Sequence, residues 1–331
     1  MATIPRLGGT PFLTDAGLET CMVFKNGIDL PSFAAFVLLD DPHGRACLSD
    51  YYNGFLKLAA DYGTGLVLDA PSWRANPDWG DAVGYGRTAL AAVNLRGIEF
   101  IAAQRAGSGI AARVVLNAVI GPRGDGYRAD AMMTAAEAQA YHAWQIGQVA
   151  AAGADMASAI TMTYVEEAQG IAAAAAAANL PCVVSFTVET DGRLPTGMSL
   201  AEAVRQTDDA THGAVAYYMV NCAHPSHFAG VLGESGLAQR IGGIRANASR
   251  MSHAELDEAE VLDEGNPAEL ASDYRALLSQ LPHLCVLGGC CGTEHRHVAA
   301  IAEACVPKMA ARAGYPFPTT LSGNSVPNTR W

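Results

Sequence analysis

The feature that most constrains the fold of this chain is a regular alternation of short apolar runs with longer segments of helical period. Apolar runs of strand length occur at residues 11–14, 65–69, 113–119, 154–161, 182–188, 214–220, 241–246 and 284–287. Segments with the period of an amphipathic helix occur at residues 50–62, 88–106, 134–152, 165–179, 199–210, 267–280 and 294–304. Strands and helices that alternate about eight times indicate a parallel α/β fold.

Closure of such a sheet into a (β/α)8 TIM barrel is the preferred prediction. An open, doubly wound sheet would normally carry a Gly-x-Gly-x-x-Gly turn after its first strand, and this sequence has none there. Because no linker divides the middle of the chain, we predict a single barrel domain over residues 1–314. Residues 315–331, which are rich in Pro, Ser, Thr and Asn, are predicted to form a C-terminal arm.

Cysteines follow two of the predicted strands. Asn221-Cys222 comes directly after the run 214–220, and Gly288-Gly289-Cys290-Cys291-Gly292-Thr293 comes after the run 284–287. Functional groups of a barrel cluster at the carboxyl ends of its strands, so three thiolates are expected to converge there on one zinc. Catalytic zinc sites use three protein ligands and leave one position open. The spacing alone leaves two other readings open, a vicinal disulfide and two ordinary buried thiols, because the usual Cys-x-x-Cys spacing is absent.

These cysteine segments, together with Thr14-Asp15-Ala16-Gly17-Leu18-Glu19-Thr20, resemble the homocysteine S-methyltransferase family along essentially the whole chain. The resemblance implies an enzyme with a (β/α)8 barrel and a Zn2+ cofactor held by Cys222, Cys290 and Cys291. It also implies methyl transfer from a sulfonium or ammonium donor to a zinc-activated thiol, with homocysteine giving methionine. S-Methylmethionine, S-adenosylmethionine and betaine are the donor types used in the family. The alternatives are a divergent member acting on another thiol, and a ligand-binding or regulatory barrel whose zinc is structural.

Seven further residues at predicted strand ends are candidates for binding the substrates. They are Asp15, Glu19, Asp69, Trp73, Thr187, Asn221 and Asn247. In the family motif the acids face the amino-acid substrate, although Asp15 and Glu19 also suit a helix cap and a first helical turn. Asn221 would either satisfy backbone groups at the strand end or support the adjacent ligand. The ring of Trp73 would either attract a cationic methyl donor or simply pack at the rim.

The sequence departs from the family at the end of the fourth strand. Members usually carry Phe-Glu-Thr-Ile there, whereas this chain reads Ala159-Ile160-Thr161-Met162. Without the glutamate, a substrate ammonium would lose a charge-assisted contact worth about 1.5 to 3 kcal/mol. Either another acid supplies that contact or the acceptor is not homocysteine. We predict that Asp69 supplies it, because Glu189 precedes a polar turn and is expected to face solvent.

Other charged residues near the strand ends have two readings each. Arg245 would bind a substrate carboxylate or form an ion pair at the rim. His224 and His227 are candidates for a fourth zinc ligand, although loop histidines more often face solvent or form hydrogen bonds. Glu166 and Glu167 are expected on a solvated helix face.

Composition limits the partners. The chain has 33 Asp and Glu against 21 Lys and Arg, a net charge of -12, so it offers no basic face for nucleic acid. The N-terminus shows no apolar signal core, and no segment approaches the roughly 20 apolar residues of a membrane span. We therefore expect a cytoplasmic protein with a small-molecule thiol acceptor and methyl donor as partners. In a reducing compartment, clustered cysteines are more often metal-binding or catalytic than disulfide-bonded. The oligomeric state stays open.

Overall fold

The computed structural model of the chain describes residues 3–234 and 236–315. Within them, parallel strands close into a barrel in which each strand pairs with the next and the last pairs with the first. The strands are β1 (Phe12–Leu13), β2 (Gly65–Asp69), β3 (Val114–Ile120), β4 (Met156–Met162), β5 (Cys182–Phe186), β6 (Val215–Asn221), β7 (Ile241–Ala246) and β8 (Val286–Gly289). The predicted (β/α)8 barrel is thus confirmed. The predicted arm lies outside the described residues from position 316 onward.

Helices connect the strands and cover the outside of the barrel. They are α1 (Leu18–Thr20), α2 (Pro42–Asp61), α3 (Pro77–Ala82), α4 (Arg87–Gly107), α5 (Ala135–Ala151), α6 (Val165–Ala177), α7 (Leu200–Thr211), α8 (Pro225–Phe228), α9 (Leu237–Arg240), α10 (His253–Asp257), α11 (Pro267–Leu277) and α12 (His295–Arg312). The connection between β6 and β7 contains only the short α8 and α9, where the sequence likewise predicts no long helix. In the part of the chain that the structure describes, no helix has the length and apolar character needed to cross a bilayer.

Two helices extend well beyond their predicted limits. Helix α2 begins at Pro42, eight residues before the predicted start at residue 50, because the carboxylate of Asp41 accepts a 2.7 Å hydrogen bond from the Gly44 N–H. Proline suits the first helical position, where its missing N–H is not needed. Helix α12 continues through Pro307 to Arg312, whereas the prediction ended at residue 304. The helical period of the sequence therefore gave boundaries that were too narrow at the start of α2 and at the end of α12.

The core has two layers. Side chains inside the barrel form the inner layer, and they are Phe12, Val67, Val115, Val119, Met156, Ile160, Val183, Tyr217, Met219, Cys285 and Val286. A larger outer layer fills the space between the strands and the helices. Because side chains fill the interior, the barrel is not a channel. Its chemistry is confined to the carboxyl ends of the strands and their loops, which we call the rim.

A buried polar contact fixes the loop after β3 to the start of α6. His142 Nε2 lies 2.9 Å from Glu167 Oε1, and both side chains are buried. The same Glu167 oxygen accepts a 2.8 Å hydrogen bond from the Arg123 N–H. The prediction that Glu167 lies on a solvated face is therefore wrong, while Glu166 is half-buried.

Candidate metal centre

Three cysteine thiols meet at the rim. Cys222 directly follows β6, and Cys290 and Cys291 directly follow β8. The Sγ atom of Cys222 lies 2.6 Å from that of Cys290 and 3.9 Å from that of Cys291, and all three lie within 4.8 Å of one another. All three are free thiols, so the vicinal disulfide is not formed. We refer to them as the thiol cluster.

Unusual backbone conformations bring these sulfur atoms together. Cys222 has a φ of 52°, in the left-handed region that few residues other than glycine adopt. Gly292, in the turn after β8, has a φ of 75°, and a Cβ atom there would lie 2.7 Å from the Asp263 carbonyl oxygen. Hydrogen bonds hold the strained positions, including a 2.9 Å bond from the Cys290 N–H to Ala246 O. Local strain retained by its surroundings is typical of functional sites.

The three thiols of the cluster differ in pKa, and Cys290 is the one whose pKa is lowered. Hydrogen bonds from Cys222 and Cys291 lower the pKa of Cys290 well below its ordinary value, and the positive charge of Arg245 lowers it further. The hydrogen bond to Cys290 correspondingly raises the pKa of Cys222. Of the three thiols, Cys290 is therefore the one that loses its proton most readily.

The donor set fits a soft metal ion. Thiolates bound tetrahedrally to zinc, at about 2.3 Å, have sulfur atoms about 3.8 Å apart. The Cys222–Cys291 pair already has this separation, and the Cys222–Cys290 pair would need to open by about 1 Å. Among the described residues, the group of side chains that could hold a metal ion consists of Cys222, Cys290 and Cys291. Three protein ligands with one open position is the pattern of a catalytic zinc site.

The two histidines considered as fourth ligands have other partners. His224 Nδ1 lies 2.9 Å from Ser226 Oγ, and the ring caps α8 through the Ser226 N–H. His227 Nε2 donates a 2.9 Å hydrogen bond to the Arg250 carbonyl oxygen. Neither histidine belongs to the group of metal-ligating side chains that surrounds Cys222. The structure therefore gives no support to a histidine as fourth ligand.

Asn221 joins the ends of three strands beside the thiol cluster. Its Oδ1 accepts hydrogen bonds from the Thr161 N–H at 3.0 Å and the Ser185 hydroxyl at 2.6 Å. Its Nδ2 donates to Thr161 Oγ1 at 2.8 Å. Thr161 has a φ of 66°, a rare conformation for a β-branched residue, and its Oγ1 lies 3.9 Å from Cys222 Sγ. Asn221 thus stabilises a strained position next to a cluster sulfur.

Asn247 and Thr187 surround the backbone of Cys222. Asn247 Nδ2 donates a 3.0 Å hydrogen bond to Cys222 O, and His253 Nε2 donates to the same oxygen at 2.8 Å. The Thr187 hydroxyl lies 3.3 Å from that His253 nitrogen. Glu189 Oε1 lies 3.1 Å from His253 Nδ1, and the Glu189 side chain stays 37% exposed, so it faces solvent in part, as expected, and is also paired.

Tyr127 also lies at the thiol cluster, and no pattern in the sequence predicts this contact. Its hydroxyl lies 3.5 Å from Cys291 Sγ, and its ring stacks on His253 with centroids 4.2 Å apart. Tyr127 belongs to the loop after β3, and that loop follows a strand at the same rim. Its position was therefore readable from the sequence, but the direction of its side chain was not.

A buried ion-paired triad lies under the rim. The Arg245 guanidinium forms ion pairs with Asp15 and Asp69, and its Nε donates a 3.2 Å hydrogen bond to Gly289 O. Asp69 also accepts a 2.7 Å hydrogen bond from Asn117 Nδ2. Burial raises the pKa of Asp15 well above its ordinary value despite the arginine. Of the two readings of Arg245, the structure contains the ion pair. Both carboxylate oxygens of Asp69 thus have partners within the protein. Substrate binding by Asp69 stays a prediction.

Trp73 and Glu19 lie at other points of the rim. Trp73 Nε1 donates a 3.3 Å hydrogen bond to Ile160 O, and the Arg74 guanidinium lies 4.0 Å from the centre of the Trp73 ring. The chain's own cation thus covers one ring face that a cationic methyl donor would need. Glu19 is half-buried in α1, and burial raises its pKa to about 7. Roles for both residues in binding substrate stay predictions.

Fold and site together define a (β/α)8 barrel with a three-thiol cluster, able to hold a metal, at the carboxyl ends of its strands. The family model described as homocysteine S-methyltransferase matches residues 12–305. The chain therefore belongs to the homocysteine S-methyltransferase family and is a methyltransferase, as the sequence resemblance implied.

Solved structures with the same fold include the homocysteine methyltransferase MmuM from Escherichia coli. Its metallated form is 19% identical to this chain, with a TM-score of 0.69, and the match covers 89% of this chain and 96% of that one. Its oxidized form is 20% identical, also with a TM-score of 0.69, and the match covers 89% and 95%. At this level of identity the likeness demonstrates a shared fold. No curated protein matches the chain significantly.

Proposed function

We propose that the chain is a zinc-dependent S-methyltransferase that moves a methyl group from a sulfonium or ammonium donor to the thiol of homocysteine, giving methionine. The observation that carries the proposal is the thiol cluster, whose three sulfur atoms lie within 4.8 Å of one another. Within residues 3–234 and 236–315 that group contains no fourth protein ligand. Membership of the family supports homocysteine as acceptor. The donor class includes S-methylmethionine, S-adenosylmethionine and betaine.

The reaction needs a thiolate, because a free thiol has a pKa near 8.5 and is a weak nucleophile. Zinc held by the thiol cluster would bind the acceptor sulfur in its deprotonated form at neutral pH. With its thiol proton lost to solvent, the acceptor sulfur would form a new S–C bond to the methyl carbon while the donor's S–C or N–C bond breaks. The bonding electron pair leaves with the donor heteroatom, which becomes neutral. Asn247 and His253 hold the Cys222 carbonyl oxygen, and Asn221 holds Thr161 beside it.

The alternative of a structural zinc in a non-catalytic barrel requires a fourth protein ligand. His224, the candidate for that role, contacts Ser226 instead. No observation at the rim therefore favours this alternative over catalysis.

Metal analysis tests the zinc assignment. Purified protein is expected to contain about one zinc per chain, and Cys290→Ala should lose it. Cys47→Ala is the matched control, because Cys47 lies on α2 outside the thiol cluster and should leave the zinc content unchanged. Full zinc retention in the triple variant Cys222→Ala, Cys290→Ala, Cys291→Ala would overturn the proposed site.

A methyl-transfer assay tests the substrates. Zinc-loaded enzyme is incubated with homocysteine and, separately, with S-methylmethionine, S-adenosylmethionine or betaine, and methionine is followed by mass spectrometry. Product with one donor and little with the others identifies that donor. Absence of methionine with every donor would remove homocysteine as the acceptor.

A further inference from the structure

Each of the three sulfur atoms in the thiol cluster lies within hydrogen-bond distance of a different polar side chain. A thiolate that holds a metal has no proton, so in each of these pairs the polar side chain is the donor and the sulfur the acceptor. The pairs are the Tyr127 hydroxyl and Cys291 Sγ at 3.5 Å, Asn221 Nδ2 and Cys290 Sγ at 3.9 Å, and Thr161 Oγ1 and Cys222 Sγ at 3.9 Å.

The other hydrogen bonds of Asn221 fix the direction of two of these donors. Its Oδ1 accepts from the Thr161 N–H and the Ser185 hydroxyl, which leaves Nδ2 on the side of the cluster. One Nδ2 hydrogen goes to Thr161 Oγ1 at 2.8 Å, and the other is left for the Cys290 sulfur. Because the Thr161 hydroxyl accepts from Asn221, its own proton is left for the Cys222 sulfur.

The third donor belongs to the loop after β3 and is held by stacking. The Tyr127 ring lies nearly parallel to the His253 ring, with centroids 4.2 Å apart and planes 14° apart. His253 in turn donates a 2.8 Å hydrogen bond to the Cys222 carbonyl oxygen. The Tyr127 hydroxyl therefore approaches Cys291 from a direction that the segment around Cys222 sets.

Hydrogen bonds to sulfur decide how reactive a thiolate is. A donor stabilises the charged form of the sulfur, and the nucleophilicity of a thiolate falls as its basicity falls. In the proposed reaction three cysteine thiolates and the acceptor thiolate would all lie near one methyl donor. Methylation of a cysteine would turn a charged ligand into a neutral thioether and damage the metal site. The enzyme therefore needs a way to keep the methyl group from its own sulfur atoms.

We propose that Tyr127, Thr161 and Asn221 direct the methyl group to the acceptor by lowering the reactivity of the three cysteine sulfur atoms. The proposal rests on the proposed function and adds to it the means by which the enzyme avoids methylating itself. The acceptor sulfur has no share in these bonds, because each of the three side chains already donates to a cysteine.

The reaction that these donors suppress is the S-methylation of a cysteine. In that reaction the cysteine sulfur forms an S–C bond to the methyl carbon while the donor's S–C or N–C bond breaks. The bonding electron pair leaves with the donor heteroatom, and the cysteine becomes a neutral thioether. The methyl donor is the only co-reactant that the reaction needs.

Alkylation of zinc-loaded protein with methyl iodide tests the proposal without the natural donor or acceptor. Iodide leaves with the bonding electron pair when a cysteine sulfur is methylated. Intact-mass spectrometry counts the methyl groups, peptide mapping locates them, and a chromogenic chelator records the zinc that is released.

Tyr127→Phe removes one hydroxyl and keeps the ring that stacks on His253. Cys291 should then be methylated about three- to tenfold faster than in wild type, because thiolate reactivity follows roughly half of the stabilisation that a hydrogen bond to a charged atom gives. Tyr85→Phe is the matched control and should react like wild type, because the Tyr85 hydroxyl donates to Asp40 instead of a sulfur.

A second donor gives an independent comparison. Thr161→Val removes the hydroxyl but keeps the branched shape, and it should speed methylation at Cys222 by a similar factor. Thr161→Ser keeps the hydroxyl and should restore the wild-type rate. If Thr161→Val fails to fold, the comparison of Tyr127→Phe with Tyr85→Phe decides the result by itself.

The position of the methyl group separates the outcomes. Faster methylation confined to the cysteine whose donor is removed would establish the proposal. Equal rates at Cys291 in wild type and Tyr127→Phe would overturn it. Faster methylation of all three cysteines in Tyr127→Phe would also overturn it, because the hydroxyl would then only limit access. The experiment does not depend on methionine formation, so failure of the homocysteine assay leaves its result intact. Protein that binds no zinc would overturn the metal site and this proposal together.

Discussion

At the scale of single residues, the rim contains a buried cation between two acids. Arg245 forms ion pairs with both Asp15 and Asp69, so one guanidinium is shared between two buried carboxyl groups. Burial lowers the pKa of Arg245, but the charges of Asp69 and Asp15 oppose that effect. The pKa of Arg245 therefore lies well above its ordinary value. Replacing one member of such a set leaves an uncompensated charge in the interior.

Arg245→Met is expected to reduce the free energy of unfolding by about 3 to 5 kcal/mol, because it leaves two buried carboxylates facing each other. Urea denaturation followed by circular dichroism measures the change. Arg205→Met, which removes an exposed ion-paired arginine from α7, should change the stability far less, because exposed ion pairs are solvent-screened. Equal stability of the two variants would show that the triad is not a stabilising element.

Asn221→Ala is expected to affect both stability and metal binding. It leaves the buried Thr161 N–H without an acceptor, at a cost of about 1 to 3 kcal/mol. Loss of a group that orients a ligand typically weakens metal binding about 10- to 100-fold, which competition with a chelator would measure. Asn53→Ala, on an exposed face of α2, is the control. Unchanged zinc affinity in Asn221→Ala would limit Asn221 to a structural role.

At the scale of elements, the first turn of α12 is held against the loop that precedes α11. The His297 ring is fully buried there: its Nδ1 accepts a 3.1 Å hydrogen bond from the Glu294 N–H, and its Nε2 donates to Glu264 O at 2.8 Å. Both bonds need the neutral imidazole, because a protonated ring could not accept at Nδ1. Burial accordingly lowers the pKa of His297.

The lowered pKa predicts acid sensitivity. The unfolded chain binds a proton at His297 more readily than the folded one, so the free energy of unfolding falls as the pH drops through about 6.5. The slope from one such proton is at most about 1.4 kcal/mol per pH unit. His297→Gln should flatten this dependence between pH 7.5 and 5.5 in urea denaturation. His212→Asn, at an exposed left-handed position, should leave it unchanged. An identical slope in wild type and His297→Gln would contradict the assignment.

At the scale of the whole molecule, closure of the barrel depends on a strand of two residues. Strand β1 pairs with β2 on one side and β8 on the other, and the Phe12 ring fills the interior where Gly65 has no side chain. A Cβ atom at Gly65 would collide with that ring. The site depends on this closure, because Asp15 and Glu19 reach the rim only through β1.

Phe12→Ala is expected to destabilise the barrel by about 3 to 5 kcal/mol, through lost burial and the cavity left in the interior. Phe24→Ala removes a ring of the same size that is 46% exposed, and should change stability by about 0.5 kcal/mol or less. Guanidinium denaturation of both variants makes the comparison. A small effect of Phe12→Ala would mean that the interior collapses around the missing ring.

Much of the site could be predicted from the sequence because it depends on where strands end. In a parallel barrel all strands present their carboxyl ends at one rim, so Cys222 and the Cys290–Cys291 pair converge wherever they stand in the chain. The barrel fold and the family membership that the sequence predicted are both confirmed. The same reasoning brought Asn221 and Asn247 to the rim, where Asn221 Nδ2 lies 3.9 Å from Cys290 Sγ and Asn247 contacts the Cys222 carbonyl oxygen.

Pairing between side chains was not predictable in the same way. Arg245 meets Asp15 across 230 residues and Asp69 across 176 residues of sequence, and only barrel closure brings them together. The sequence presented Asp69 as a free acid and Glu167 as a solvated one, and both are buried with partners. Tyr127 was missed for the same reason.

The sequence by itself determined the alternation of strands and helices, the barrel, the family and the three thiols, because periodicity and strand termini are local properties. The tertiary structure decided which acids are neutralised and which remain free, because a charge is compensated only by what packs beside it. Asp69 lost its predicted freedom to Arg245, whereas no salt bridge to Glu19 forms among the described residues. That difference arises from side-chain directions and distances across the rim, which no spacing in the chain encodes.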